Sequence, residues 1–253
     1  MEEKHKKTKL VSIATQKGGV GKTTLTAILA SLLHYRYDYN IIVVDVDYPQ
    51  YSLTKTREAE LEAVKKEERL ANLVNSQLEK LNKGSYPILT CKADEAIDRL
   101  NKLDLDDIDY VLFDMPGTIN QPGVLSLLAC LDYVFIPIVA DDIVMRAATA
   151  YAVTIKENLR TESTCKVKDV YCFWTRVDRR DRSNPFYNQY AAAIEEKFGV
   201  KLMEAYLPNS IRFGKEITNA EIVRSTIVPP TQAVASSLHL STFAFEFIAL
   251  CQK

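Results

Sequence analysis

The sequence predicts an α/β protein, a doubly wound and mostly parallel sheet with helices on both faces, folded as a single domain over residues 1–253. Three observations carry this expectation. Apolar runs of strand length recur without polar alternation, as strands buried on both faces do. Helical segments separate them, the pattern of repeated βαβ units. A glycine-rich loop follows the first run directly and opens into an apolar helix.

In order, Leu10–Thr15 reads as the first strand and Thr23–His34 as the apolar helix behind the loop. Asn40–Asp47 is a buried strand ending in carboxylates. Lys55–Leu81 is long and charged, with Leu61, Val64, Glu68, Ala71, Val74, Leu78 and Leu81 three or four apart, and is expected to be one helix on the domain's flank. Tyr86–Cys91 is a strand and Ala93–Leu103 a short helix. Asp109–Asp114 and Asp132–Pro137 are buried strands separated by a helix near Gln121–Cys130. A helix over Asp142–Leu159 precedes the strand Val167–Trp174. The remainder reads as helix Asn184–Phe198, strand Lys201–Tyr206, helix near Phe213–Arg224 and a core helix Leu238–Leu250. The nearest approach to a linker is the charged stretch Asp178–Ser183.

The chain has 253 residues, 47% of them hydrophobic and 26% charged, enough for one sizeable core. Its formal net charge of −1 means that any nucleic-acid contact has to come from a local basic patch. Five scattered cysteines without C-x-x-C spacing suit buried thiols in a reducing compartment. Met1–Lys9 is charged and unlike a signal peptide, and no apolar stretch reaches the roughly 18–20 residues that span a bilayer. The expectation is a soluble cytoplasmic protein.

The chemistry begins in Gln16–Thr24. Gly18, Gly19 and Gly21 are small enough for successive backbone N–H groups to wrap a phosphate; Lys22 supplies a charge for the β/γ-phosphates and Thr23 a hydroxyl for Mg²⁺. Val20 and Thr24 complete the loop. Lys17 is surplus to that task, and a second cation at the loop's mouth points to transition-state charge on a nucleotide. In open parallel sheets ligands bind beyond the carboxyl ends of the strands, so strand-end carboxylates should converge there. Asp114 ends an apolar strand where a Walker-B residue holds Mg²⁺, with Asp45 as a further metal-side carboxylate. Asp47 is the candidate to orient or deprotonate attacking water, and Gly117 leaves its backbone free to approach a γ-phosphate.

These residues resemble the deviant Walker-A ATPases, the ParA/Soj partition proteins and MinD. Lys17–Thr23 matches K-G-G-x-G-K-[ST] throughout. Val44–Gln50 is similar to the switch I stretch D-x-D-P-Q with Tyr48 inserted, and Phe113–Gly117 to the switch II stretch D-x-P-P with glycine last. Thr175-Arg176-Val177-Asp178 resembles the segment beside the base, and Leu207-Pro208-Asn209 the loop over the purine, which places Thr175, Arg176, Pro208 and Asn209 at the nucleotide. Arg224–Pro229 resembles the stretch before the final helix. With only a short stretch before Gln16, the resemblance implies a form without a preceding helix-turn-helix, like the short Soj-like proteins.

The resemblance implies an ATP- and Mg²⁺-dependent homodimer, with Lys17 reaching across to the partner's nucleotide and slow hydrolysis resetting the switch. It also implies non-specific DNA binding, nucleoid association when ATP-bound, and a ParB-like DNA-bound adaptor, in plasmid or mobile-element partition. Candidate phosphate contacts are Arg212, Lys215 and Arg224, with Arg179, Arg180 and Arg182 as a second cluster and Lys4, Lys6, Lys7 and Lys9 as a basic tail. The alternative is a MinD-like positioning ATPase on a membrane or protein scaffold, disfavoured because Leu238–Lys253 has only Lys253 as a cation. Thr175–Asp178 also faintly resembles [NT]-K-x-D of regulatory GTPases, with Arg176 in place of lysine. The cysteines and three histidines lack the grouping of an Fe–S or metal site.

Overall fold

The computed structural model describes residues 7–16, 19–161, 165–178, 180, 183–214 and 222–252. Seven strands form one parallel sheet in the order β3-β2-β4-β1-β5-β6-β7. They are β1 (Lys9–Ile13), β2 (Ile41–Asp45), β3 (Ile88–Thr90), β4 (Tyr110–Asp114), β5 (Tyr133–Ile138), β6 (Asp169–Trp174) and β7 (Lys201–Leu202). Helices α1 (Lys22–Tyr35), α2 (Ser52–Lys66), α3 (Glu68–Leu81), α4 (Ala96–Leu100), α5 (Val124–Cys130), α6 (Asp142–Thr161), α7 (Phe186–Phe198), α8 (Gln232–Ser237) and α9 (Leu240–Cys251) make the crossovers and the C-terminal cover.

The strands are apolar throughout because alternate residues enter two different cores. Val11, Ile13, Val43, Leu112 and Phe135 face α1 and α9, whose Leu29, Leu32, Phe243 and Phe247 complete that layer. Val111, Phe113, Val134 and Ile136 face α5, α6 and α7 through Leu127, Leu128, Ala148 and Ile194. Burying each such large side chain contributes roughly 1.5–3 kcal/mol. The final helix is a core helix, with Phe247 against Phe135 (centroids 4.7 Å) and Phe243 against Phe173 (4.8 Å). Among the described residues no helix is long and apolar enough to cross a membrane. All five cysteines are unpaired.

Three expected elements differ, and one element was not expected. The single helix over Lys55–Leu81 is two helices, starting at Ser52 and broken at Glu67, whose backbone is extended (φ −119°, ψ 103°). α2 buries Leu53 and Glu60, and α3 buries Leu70 and Val74 against Ile227 and Val228, where Ala63 and Val64 of α2 also pack. Both helices meet that segment from either side of the break, and Leu61, counted in the continuous stripe, is exposed.

The strand Lys201–Tyr206 shortens to Lys201–Leu202. Beyond it the Glu204 and Ala205 amides donate to the Glu246 carboxylate at 2.8 and 2.6 Å instead of to a ladder. Of the helix near Phe213–Arg224, residues 215–221 lie outside the described set. The described ends are a 3-10 turn over Ile211–Gly214 and irregular backbone at 222–224. An unanticipated α8 precedes the last helix. Thr231 caps it by accepting from Val234 N at 3.3 Å, a start signal legible in Pro229-Pro230-Thr231.

Candidate functional site

β1 lies at the centre of the sheet between β4 and β5, so its following loop opens where the carboxyl ends of β2 and β4 also arrive. Gly19 and Gly21 both have positive φ (77° and 93°), and a Cβ at either position would meet nothing within 4 Å. Gly21 is the N-cap of α1, with Leu25 N donating to its carbonyl at 2.8 Å, and the first turn of α1 contains no acidic residue. A left-handed loop running into a bare helix N-terminus aims backbone N–H groups at one point and suits an anion. Lys17 and Gly18 lie outside the described residues.

Lys22 is buried at the first position of α1. Burial pushes its ammonium below the ordinary value, while Asp114 and Asp47 pull it back. All three groups therefore share one neighbourhood. Asp45 and Asp114 are register partners across the β2–β4 ladder, and both are fully buried. Burial, then repulsion from Asp45, pushes the Asp114 carboxyl up to about 8. The nearby Thr23 hydroxyl and Lys22 oppose part of that rise. Among the described residues neither Asp114 oxygen has a hydrogen-bond partner of good geometry.

A buried carboxylate without partners is costly unless something cationic completes it. Thr23, Asp114 and Asp45 offer hard oxygen donors, which suit Mg²⁺. Among the described residues no group of three or more His, Cys, Asp or Glu could hold a metal. A two-carboxylate, one-hydroxyl set fits a cation that takes its other ligands from phosphate and water. Asp47 is half-buried, and burial raises its carboxyl above the ordinary value, with Lys22 opposing.

The two loops after β2 and β4 are joined directly: Gln121 Nε2 donates to Tyr48 O at 3.1 Å. The Tyr48 ring is exposed, with Lys92 Nζ 5.3 Å from its centroid. Gly117 is half-buried in the irregular segment after β4. Gly123, at the N-cap of α5, has φ +79°, and a Cβ there would stand 2.4 Å from Asp94 N.

On the other flank a pocket of about 470 Å³ is lined by Gly19, Val20, Gly21, Thr24, Thr175, Arg176 and Asn209. Arg176 has positive φ (56°), and its guanidinium donates to the Gly19 carbonyl, tying the loop after β6 to the glycine loop. Asn209 is placed by its amide donating to Val177 O at 2.8 Å. Pro208 is buried and pairs with Val177 in an isolated parallel bridge, so it sets the position of Asn209 and does not itself line the pocket.

Ser210, Ile211 and Phe213 also line it, and the sequence reading missed them. An aromatic residue just after Pro208-Asn209 was the available signal for Phe213. Thr54, which binds Asp45, was missed too; nothing local marks it.

Among the described residues the candidate DNA contacts do not form one exposed patch. Arg212 is half-buried and donates from Nη1 to Ser237 Oγ at 2.9 Å. Arg224 is half-buried with its Nε shielded from solvent. Arg180 is exposed, and Lys215, Arg179, Arg182, Lys4 and Lys6 lie outside the described residues.

Known proteins share this fold. The uncharacterized protein Rv1708 of Mycobacterium tuberculosis is 26% identical over 230 residues, 83% of this chain and 70% of its own length. The Borrelia burgdorferi B31 protein BB_S35, assigned by name to plasmid partition and solved bound to AMPPNP, superposes with a TM-score of 0.57 at 18% identity, covering 94% of this chain and 100% of its own. Cobyrinic acid a,c-diamide synthase of Mycobacterium smegmatis, solved with an ATP analogue and magnesium, gives 0.53 at 21% identity over 82% and 90% of the two chains. At such identities the superpositions speak for the fold. The nucleotide binding domain described as CobQ/CobB/MinD/ParA matches residues 11–223. This chain, with its glycine loop, facing aspartates and adjoining pocket, belongs to the CobQ/CobB/MinD/ParA family of nucleotide binding domains.

Proposed function

We propose that the chain is a single-domain, Mg²⁺-dependent ATP hydrolase working as an ATP-dependent dimeric switch in segregation or maintenance of DNA. The observation that supports this best is Asp114, buried with no hydrogen-bond partner of good geometry among the described residues, beside Lys22 and Thr23 and beneath a glycine loop of positive φ. In this reading the backbone of Gly18–Gly21 and the Lys22 ammonium hold the phosphates, and Thr24 borders the pocket taken by the nucleoside. Thr23, Asp45 and Asp114 hold Mg²⁺, which neutralises charge on the phosphates when bound. Asp47 orients the attacking water, and its raised carboxyl suits proton acceptance. Lys17 acts across a dimer interface on the partner's nucleotide, as a cationic finger.

DNA binding in this reading rests on phosphate contacts from Lys215, Arg180 and the neighbouring basic residues, with Arg212 and Arg224 in supporting positions; a ParB-like adaptor stimulates hydrolysis. BB_S35's naming for plasmid partition, on a fold that covers nearly all of this chain, supports the choice over a scaffold-bound positioning ATPase. The test is AMPPNP binding with Mg²⁺, followed by sizing and duplex-DNA retardation at low salt. Lys22→Ala should lose nucleotide binding, and Lys17→Ala should bind nucleotide yet stay monomeric. Tight binding by the first variant, or an intact dimer in the second, would refute the assigned roles. Absence of any DNA shift would transfer the switch to a protein or membrane scaffold.

A further inference from the structure

The two facing carboxylates are treated unequally. Asp114 has no partner of good geometry among the described residues, whereas Asp45 Oδ2 accepts two hydrogen bonds from Thr54, from its amide at 2.9 Å and its hydroxyl at 2.9 Å. The same hydroxyl lies 3.0 Å from Thr90 Oγ1 at the end of β3. Asp45 Oδ1 receives the Asp47 amide at a longer 3.4 Å. A carboxylate oxygen that already accepts two bonds has little left in its lone-pair plane for another partner. Thr54 stands in the first turn of α2, directly after the loop containing Asp47 and Tyr48.

We propose that Thr54 is a positioning residue that competes with the divalent cation for Asp45, latching the first turn of α2 until Mg²⁺ and nucleotide bind. This rests on the nucleotide-binding reading above. Oδ1 holds only the long Asp47 contact, so the competition is for Oδ2: a cation that turns the carboxylate to draw on Oδ2, directly or through water, displaces the Thr54 bonds. The rest of α2 is anchored elsewhere and has no reason to follow. One turn on, Arg57 donates to Thr226 Oγ1 and Thr226 O, each at 2.8 Å. Glu60 accepts from the Thr226 amide at 2.9 Å and from its hydroxyl. Release is therefore confined to the turn containing Thr54, with Arg57 and Glu60 as the fixed end.

The experiment uses the full chain with AMPPNP as probe. Hydrogen exchange of the wild type should show the Thr54 amide exchanging faster with Mg²⁺ and AMPPNP than with AMPPNP and EDTA, while the Thr226 amide keeps its protection. An unchanged or slower Thr54 amide would overturn the latch. Thr54→Val, which deletes the hydroxyl and keeps the shape, should tighten Mg²⁺ binding in the presence of AMPPNP on the order of tenfold, since one bond to a charged acceptor no longer competes. Thr54→Ser should restore wild-type affinity. Equal or weaker Mg²⁺ binding by Thr54→Val would also overturn it. If the wild type binds AMPPNP with no dependence on Mg²⁺, both the latch and the metal site fail. If AMPPNP binding depends on Mg²⁺ while Thr54 stays protected, only the latch fails.

Discussion

Replacing Asp114 by asparagine should stabilise the metal-free protein while destroying its use of Mg²⁺. Asp114 is fully buried, and its carboxyl is pushed from an ordinary 3.8 up to about 8, first by burial and then by Asp45. A carboxyl raised in the folded state contributes its full stability below the unfolded value and loses it as pH climbs through the folded value. The linkage between 3.8 and about 8 corresponds to about 4 kcal/mol lost by pH 7, at roughly 1.36 kcal/mol per unit.

Asparagine removes that ionisation and leaves a buried amide needing partners, which costs about 1–3 kcal/mol. The net expectation is a gain of about 1–3 kcal/mol at pH 7.5 in EDTA. Urea denaturation of both proteins in EDTA from pH 5 to pH 8 measures it: the wild type should weaken steadily and Asp114→Asn should not. With AMPPNP present, added Mg²⁺ should stabilise the wild type alone. Parallel pH profiles, or undiminished Mg²⁺ stabilisation of the variant, would refute the reasoning.

Gly123→Ala should cost at least about 3 kcal/mol, because a left-handed residue gains a Cβ 2.4 Å from Asp94 N; thermal unfolding reads it, and an unchanged midpoint would count against so close an approach of α5 to the Asp94 backbone. Glu60, raised by burial despite its bonds to Thr226, loses stability as pH rises above its ordinary 4.5; Glu60→Gln should flatten that slope in denaturant titrations, and an identical slope would show that Glu60 is not the source. Arg176→Ala removes the tie to Gly19 O and should weaken AMPPNP binding on the order of tenfold in a fluorescence titration, with the fold intact by circular dichroism. Unaltered affinity would leave Arg176 a bystander to the nucleotide.

What the sequence determined by itself was local. Strands apolar at every position, such as Tyr110–Phe113, specify burial on both faces and hence a parallel sheet, because each residue's environment follows from the pleat alone. The glycine loop, Lys22 and Thr23 were legible for the same reason: consecutive residues shape one turn. Strand-end aspartates were legible because the carboxyl edge is where such sheets place chemistry.

Tertiary structure decided what depends on residues far apart in the chain. The break at Glu67 leaves Ala63 and Val64 of α2 and Leu70 and Val74 of α3 packed on one distant segment, Ile227–Val228, which the periodicity of Lys55–Leu81 could not encode. The burial of Pro208 and the internal bond of Arg212 to Ser237 follow from neighbours brought up by the fold. The unequal support of Asp45 and Asp114 arises because α2 folds back so that Thr54 meets one carboxylate and not the other. Sequence pattern reports the environment a residue needs; which distant group fills a given lone pair is settled only when the elements pack.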